Sequence, residues 1–195
     1  MRLVPTALLT AILALPAAAS AQTAPPPKAP PVEGRAMATF AHVCPGWVDG
    51  RPTAALLQAL DKQGFFPDID FDNTEQAGYG YRYIENVVEW PLNGVRIEFG
   101  AKQGRRYCIV SVFSGDTHTG VLLSHATRWA TTMAAPPFAL AQARTVVKDA
   151  DGAFGFTKFT RPGREVLIED RAPPASKEQF LARKVFSIML LQTAP

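Results

Sequence analysis

The chain has little with which to build a metal or redox centre. Its 195 residues include two cysteines and three histidines. Cys44 and Cys108 are far too widely spaced for a C-x-x-C redox motif, and no G-x-S-x-G nucleophile elbow occurs. Charge of one sign is also scarce: 20 basic side chains meet 17 acidic ones, a net of +3. So small an excess argues against a nucleic-acid partner. Beyond the first 21 residues no run of 18 consecutive apolar residues appears, so no membrane span is expected. No internal repeat at a fixed period is visible either.

What is present begins with an address. Arg2 supplies a positive start, Thr6 to Leu15 form an apolar core too short to cross a bilayer, and Ala19-Ser20-Ala21 offers small residues to a signal peptidase. Cleavage before Gln22 is expected, with a periplasmic or secreted location. Residues 22–35, with five prolines and almost nothing to bury, read as an extended linker. Residues 36–195 are enough for a single domain with a real core. In an oxidising compartment a Cys44–Cys108 disulfide is the default. His42 lies close to Cys44, but a thiol nucleophile is the weaker reading. Charge is uneven along the domain. Residues 36–100 carry four Lys/Arg against nine Asp/Glu, and residues 101–195 carry 13 against seven. The simplest expectation is that the two halves attract each other within one fold.

Hydrophobic periodicity sets the architecture. "RPTAALLQALDKQGF" places Leu56, Leu57 and Leu60 on one helical face, with Gly64 as a left-handed cap. Asn93-Gly94 suits a two-residue turn that would pair Leu92 with Val95, Trp90 with Ile97 and Val88 with Phe99. "RRYCIVSVF" is apolar on both faces and reads as a central strand. A second helix is expected from Thr117 to Met133, capped by Asp116 or Thr117, with His118, Val121, Leu122, His125, Trp129 and Met133 along one side. Three more strands follow, with turns at 149–152 and at "RPGR". For residues 177–191 the Ser176/Gln179 capping box favours a helix, although "KVFSIMLL" also suits a closing strand. The expected fold is α+β: an antiparallel sheet with helices packed on one face, in the order α-βββ-α-βββ-α.

Candidate chemistry is sparse. His118 and His125 are seven residues apart, two turns and about 10 Å along a helix, whereas helical zinc sites place histidines at i and i+4. They read as members of the packing face. Ser114 or Ser124 with Asp116 and His118 would make a hydrolase only by fortunate geometry. Glu89 opposite Glu98 on the expected hairpin would bring two carboxyls about 5 Å apart, a glycosidase-like separation. Asp68, Asp70 and Asp72, with Glu75 beyond, begin like a calcium loop, but Asn73 and Tyr79 occupy the positions that require glycine and glutamate. No metal or cofactor is therefore expected. Tyr79, Tyr81 and Tyr83 alternate on a strand, on the face of Glu85 and Glu89, and are the expected binding residues. The function these features favour is non-catalytic binding of a protein or cell-envelope component. The alternative is a small hydrolase acting on envelope material.

Overall fold

Alternation of apolar residues decides how this sheet lies. The pleat sends every second side chain to the same side, and in Val95, Ile97 and Phe99, as in Cys108, Val110 and Val112, that side is apolar. The computed structural model describes residues 31–68, 71–74, 80–85, 94–113, 118–149, 152–171 and 184–194. Two helices, α1 (Val32–Val48) and α2 (Thr53–Lys62), precede four strands: β1 (Phe65–Pro67), β2 (Tyr81–Glu85), β3 (Gly94–Lys102) and β4 (Arg105–Phe113). Helix α3 (Thr119–Arg128) runs into a π-helical turn, Trp129–Met133. Strands β5 (Ala139–Asp149), β6 (Gly152–Arg161), β7 (Arg164–Arg171) and β8 (Lys184–Gln192) complete the chain. All eight strands form one antiparallel sheet in the order β1-β2-β3-β4-β8-β7-β6-β5.

The class is thus mixed α+β, mostly sheet, but the element order is αα-ββββ-α-ββββ. Three elements differ from the expected ones, the smallest being β1, a three-residue strand with no counterpart in the expected order. Residues 184–192 are a strand at the centre of the sheet, paired with both β4 and β7. Its outward residues Met189 and Leu191 are apolar like its inward ones, so periodicity could not separate it from a helix. The capping box at Ser176 and Gln179 lies outside the described residues. Helix α1 was not expected, and it begins at Val32, inside the proline-rich stretch read as linker. Pro45 and Gly46 hide it from propensity, yet Phe40, Val43, Cys44 and Trp47 recur at helical spacing and are all fully buried.

Three rows of cross-strand neighbours make the core. Phe99, Cys108, Leu190, Val166 and Phe159 form the first, and Ile97, Val110, Ile188, Ile168 and Thr157 the second. Val95, Val112, Phe186, Asp170 and Gly155 form the third. Helix α1 lies against β3, β4 and β8, and α3 against β7 and β8. The disulfide joins Cys44 of α1 to Cys108 at the middle of the sheet, with Cα atoms 5.2 Å apart. Beside it the Trp47 ring meets Phe99 edge-on at 5.1 Å, and its Nε1–H donates to the Gly100 carbonyl at 3.1 Å. Leu122, Ala126 and Ala130 bury the far helix, and Trp129 meets Phe40 at 4.7 Å. Gly64 takes φ +80°, the left-handed cap expected after α2.

One acid in these rows is answered from two strands away. Asp170 is 8% exposed and accepts from Arg144 Nη2 at 2.7 Å. Arg144 reaches it from β5 by passing over β6 at Gly155, where an added Cβ would collide with both side chains. Thr157 is less well served: its buried hydroxyl finds no hydrogen-bond partner among the described residues.

Two stability measurements follow from this core. Thr157→Val keeps the shape and removes the unpaired hydroxyl, so it should raise unfolding free energy by roughly 1 kcal/mol. Cys44→Ala with Cys108→Ala opens a cross-link spanning 64 residues, and chain entropy puts the loss at about 4 kcal/mol. Denaturant titration of both variants checks these values; a neutral disulfide deletion would show that the unfolded chain is already compact.

Candidate functional site

The site begins with a register. Strand β2 ends at Glu85 and β3 starts at Gly94, so the expected two-residue Asn93-Gly94 turn is not how these strands meet. Ile97 faces Tyr83 rather than Trp90, and Phe99 faces Tyr81 rather than Val88. A shift of seven residues is odd, and an odd shift turns every side chain to the other face. Tyr81 and Tyr83 therefore sit on the core side, half-buried, with Tyr81 stacked on Phe99 at 5.3 Å and edge-on to Trp47 at 6.3 Å. Burial, and then the neighbouring Tyr81, push the Tyr83 hydroxyl above the usual tyrosine range. Glu85 is on the same side, bound to Arg35 of α1 at 2.7 Å. The outward residues of this strand are Arg82 and Ile84, the latter 43% exposed. Tyr79 lies outside the described residues.

The same shift separates the expected carboxylate pair. Glu98 faces Arg82, whose Nε donates to it at 3.3 Å; Glu89 is not among the described residues. Arg82 also meets Asp68 at 3.6 Å and lies 3.9 Å over the Phe71 ring. Its backbone N–H donates to Asn73 Oδ1 at 2.6 Å. In the acidic loop, then, Asp68 and Asn73 tie the chain to β2, while Asp70 and Glu75 are not described. On α3, His118 is exposed and stands at the helix start, its N–H donating to Glu33 of α1 at 3.1 Å. His125 is half-buried, and the packing stripe is Leu122, Ala126 and Ala130, leaving Val121 and Met133 exposed. No cluster of three or more metal-ligating side chains occurs among the described residues. Ser114, Asp116 and the caps expected at Asp116 or Thr117 fall outside them.

What the sheet does gather is on its outer face. With Cys108, Val110, Ile188 and Leu190 pointing inward, Tyr107, Ile109, Met189 and Leu191 must point outward, and they are neighbours: Tyr107 faces Leu191 and Ile109 faces Met189. These four half-buried side chains floor a groove of about 600 Å³. Glu98 and Glu165 stand on its flanks, and Lys102, Gln103 and Arg105 at its end. Lys102 and Arg105 close a two-residue turn in which Gln103 and Gly104 have φ of 53° and 72°, the positive values a type I′ hairpin needs. Comparison of the chain with known protein families, curated proteins and solved structures finds no match.

Both acids of the groove are already engaged. Glu165 pairs with Lys158, and Glu98, besides Arg82, accepts from the Tyr107 hydroxyl at 3.3 Å. That hydroxyl passes over Gly100, where an added Cβ would stand 3.1 Å from it. The groove was invisible in the sequence for two reasons. Met189 and Leu191 belong to the segment read as a helix, and Tyr107 and Ile109 were read as evidence of a covered strand rather than of an apolar outer floor. The outward alternation of β4 was the signal that could have found it.

Burial, and then the charge and hydrogen bond of Glu98, push Tyr107 up to about 12. A raised folded-state value favours the neutral phenol, so its contribution to stability is whole below the unfolded value of about 10. That contribution fades as pH rises through about 12. Ultraviolet titration should show a tyrosine ionising near there. Glu98→Gln should lower that midpoint without restoring the free value, because burial is the larger cause; an unmoved midpoint would remove Glu98 from the account.

Proposed function

We propose that the chain is a non-catalytic binding domain of the periplasm or the extracellular space, holding a protein or cell-envelope component in the outer-face groove. The location rests on the Ala19-Ser20-Ala21 signal and on the buried disulfide, which is compatible with an oxidising compartment. The observation that carries the reading is the groove floor. Tyr107, Ile109, Met189 and Leu191 place contiguous apolar surface at the middle of a sheet face whose flanking carboxylates are already paired. An apolar floor with a few polar groups around it is the usual composition of a binding site.

The proposed binding surface thus moves from the tyrosines of β2 to the outward residues of β4 and β8, Tyr107 among them. Tyr81 and Tyr83 are spent on the aromatic contacts with Phe99 and Trp47. The hydrolase alternative draws no support from Glu98, which is held by Arg82 and Tyr107 instead of facing a second carboxylate.

The test immobilises the mature chain from Gln22 onward and exposes it to envelope extract. Met189→Glu should lose the retained component at least tenfold while far-ultraviolet circular dichroism stays native. Tyr83→Phe should retain it. Equal capture by Met189→Glu would place the surface elsewhere, and release of soluble fragments from the extract by the wild-type chain would establish the hydrolase instead.

A further inference from the structure

Two cations at the end of this groove stand opposite each other across the turn from β3 to β4. Lys102 and Arg105 are direct cross-strand partners, both point to the outer face, and both are exposed. Like charges placed opposite on a hairpin destabilise it. Among the described residues neither pairs with a carboxylate, since Glu98 is committed to Arg82 and Tyr107 and Glu165 to Lys158.

The chain contains a second opposed pair of cations, and there each side chain has a partner. Arg161 and Arg164 are partners across the Pro162-Gly163 turn. Arg164 binds Asp49 at 2.9 Å. Arg161 donates to the Pro136 carbonyl and lies 4.3 Å from the centroid of the Phe138 ring. Among the described residues, then, one opposed pair of cations has partners and the other, beside an apolar floor, has none.

We propose that the groove takes an anionic amphiphile, its carboxylate or phosphate head held between Lys102 and Arg105 and its apolar tail lying over Tyr107, Ile109, Met189 and Leu191. This rests on reading the groove as the binding surface and names the chemistry of its ligand. The head gains two charge-assisted contacts and relieves the repulsion between the two cations. Guanidinium and ammonium groups both suit carboxylate and phosphate oxygens. Gln103, also on the groove wall, adds a neutral polar group beside the head, whereas the Gln192 side-chain oxygen already accepts from the Arg106 N–H at 3.2 Å. The tail removes apolar surface from water, a gain proportional to the area it covers. A cationic amphiphile gains the tail contacts but adds a third positive charge at the lip.

The experiment is calorimetric titration of the mature chain with dodecanoate, dodecyl phosphate, dodecyltrimethylammonium and dodecyl maltoside, each below micelle formation. At least one anionic compound should bind with one-to-one stoichiometry, at least tenfold more tightly than the cationic and uncharged ones. A preference for dodecanoate points to a free fatty acid, and a preference for dodecyl phosphate to a lipid phosphate. Lys102→Ala with Arg105→Ala should weaken anionic binding at least tenfold, and Met189→Glu should abolish it. Arg105→Gln should raise the melting temperature of the unliganded chain while weakening the anion, an opposition that a purely structural arginine does not produce. Equal binding of all four compounds, or anionic binding untouched in the double variant, overturns the proposal. Failure of every amphiphile together with loss of extract capture in Met189→Glu overturns only the ligand's identity and leaves the groove as the binding surface. Amphiphile binding that survives Met189→Glu overturns its location.

Discussion

The covalent tie between Cys44 and Cys108 is the constraint from which both faces of the sheet follow. It seats α1 on the middle of the sheet, and Trp47 one turn further along settles against Phe99 and Tyr81 while its Nε1–H holds the Gly100 carbonyl. Arg106 then lies 4.5 Å over the Trp47 ring and donates to its carbonyl. Once Cys108 points inward the pleat leaves no choice for its neighbours: Tyr107 and Ile109 go outward. Across the ladder Leu190 pairs with Cys108 on the inner side, which sends Met189 and Leu191 out beside them. The groove is the back of the core, and its composition is set by the same register.

That dependence explains what could be read in the sequence and what could not. The alternation of β4, the helical run in α2, its glycine cap and the disulfide were all legible, because each rests on local pattern or on compartment. The pairing of β2 with β3 was not. Asn93-Gly94 is a strong local turn signal, but the observed register brings Tyr81 and Tyr83 against Phe99 and Trp47, residues from two other elements. Several aromatic contacts, each on the order of 0.5–1.5 kcal/mol, outweigh one turn preference. Strand β8 was illegible for a different reason. Val185, Phe186, Ser187 and Ile188 are consecutive and all buried, so the segment has no polar face to betray its period. Since the groove draws half its floor from β8, missing that strand meant missing the site.

Charge along the chain promised an attraction between an acidic first half and a basic second half, and among the described residues little of it is used. Arg164–Asp49 joins the halves, but Arg82 pairs with Asp68 and Glu98 inside the first, and Arg144–Asp170, Lys158–Glu165 and Lys184–Glu169 lie inside the second. Local neutralisation is what a sheet favours, because cross-strand neighbours are the shortest route between opposite charges. It also leaves the excess of the basic half in place. Part of that excess stands at the sheet end where β3 turns into β4, beside the apolar floor of the groove.

A sheet of this kind can engage a partner in two ways, by adding a strand at its edge or by using its face, and the edge strand here is poorly made for the first. Strand β5 is long and exposed, with Leu140 at 57% and Val146 at 60%, which would ordinarily invite another strand. Its pairing with β6, however, slips between Leu140 and Gln142 and again between Gln142 and Thr145. Each slip bends the strand and breaks the even ladder that an incoming strand must match. Arg144, at the second slip, is turned across β6 to reach Asp170, so the distortion is anchored in the core rather than free to straighten. Opposite it, β1 is only three residues long, too short to template a stable addition. With both edges blunted, the outer face is the surface on which the sheet offers ordered apolar contact, and its regular, twice-paired central strands hold Tyr107, Ile109, Met189 and Leu191 in fixed register for whatever lies across them.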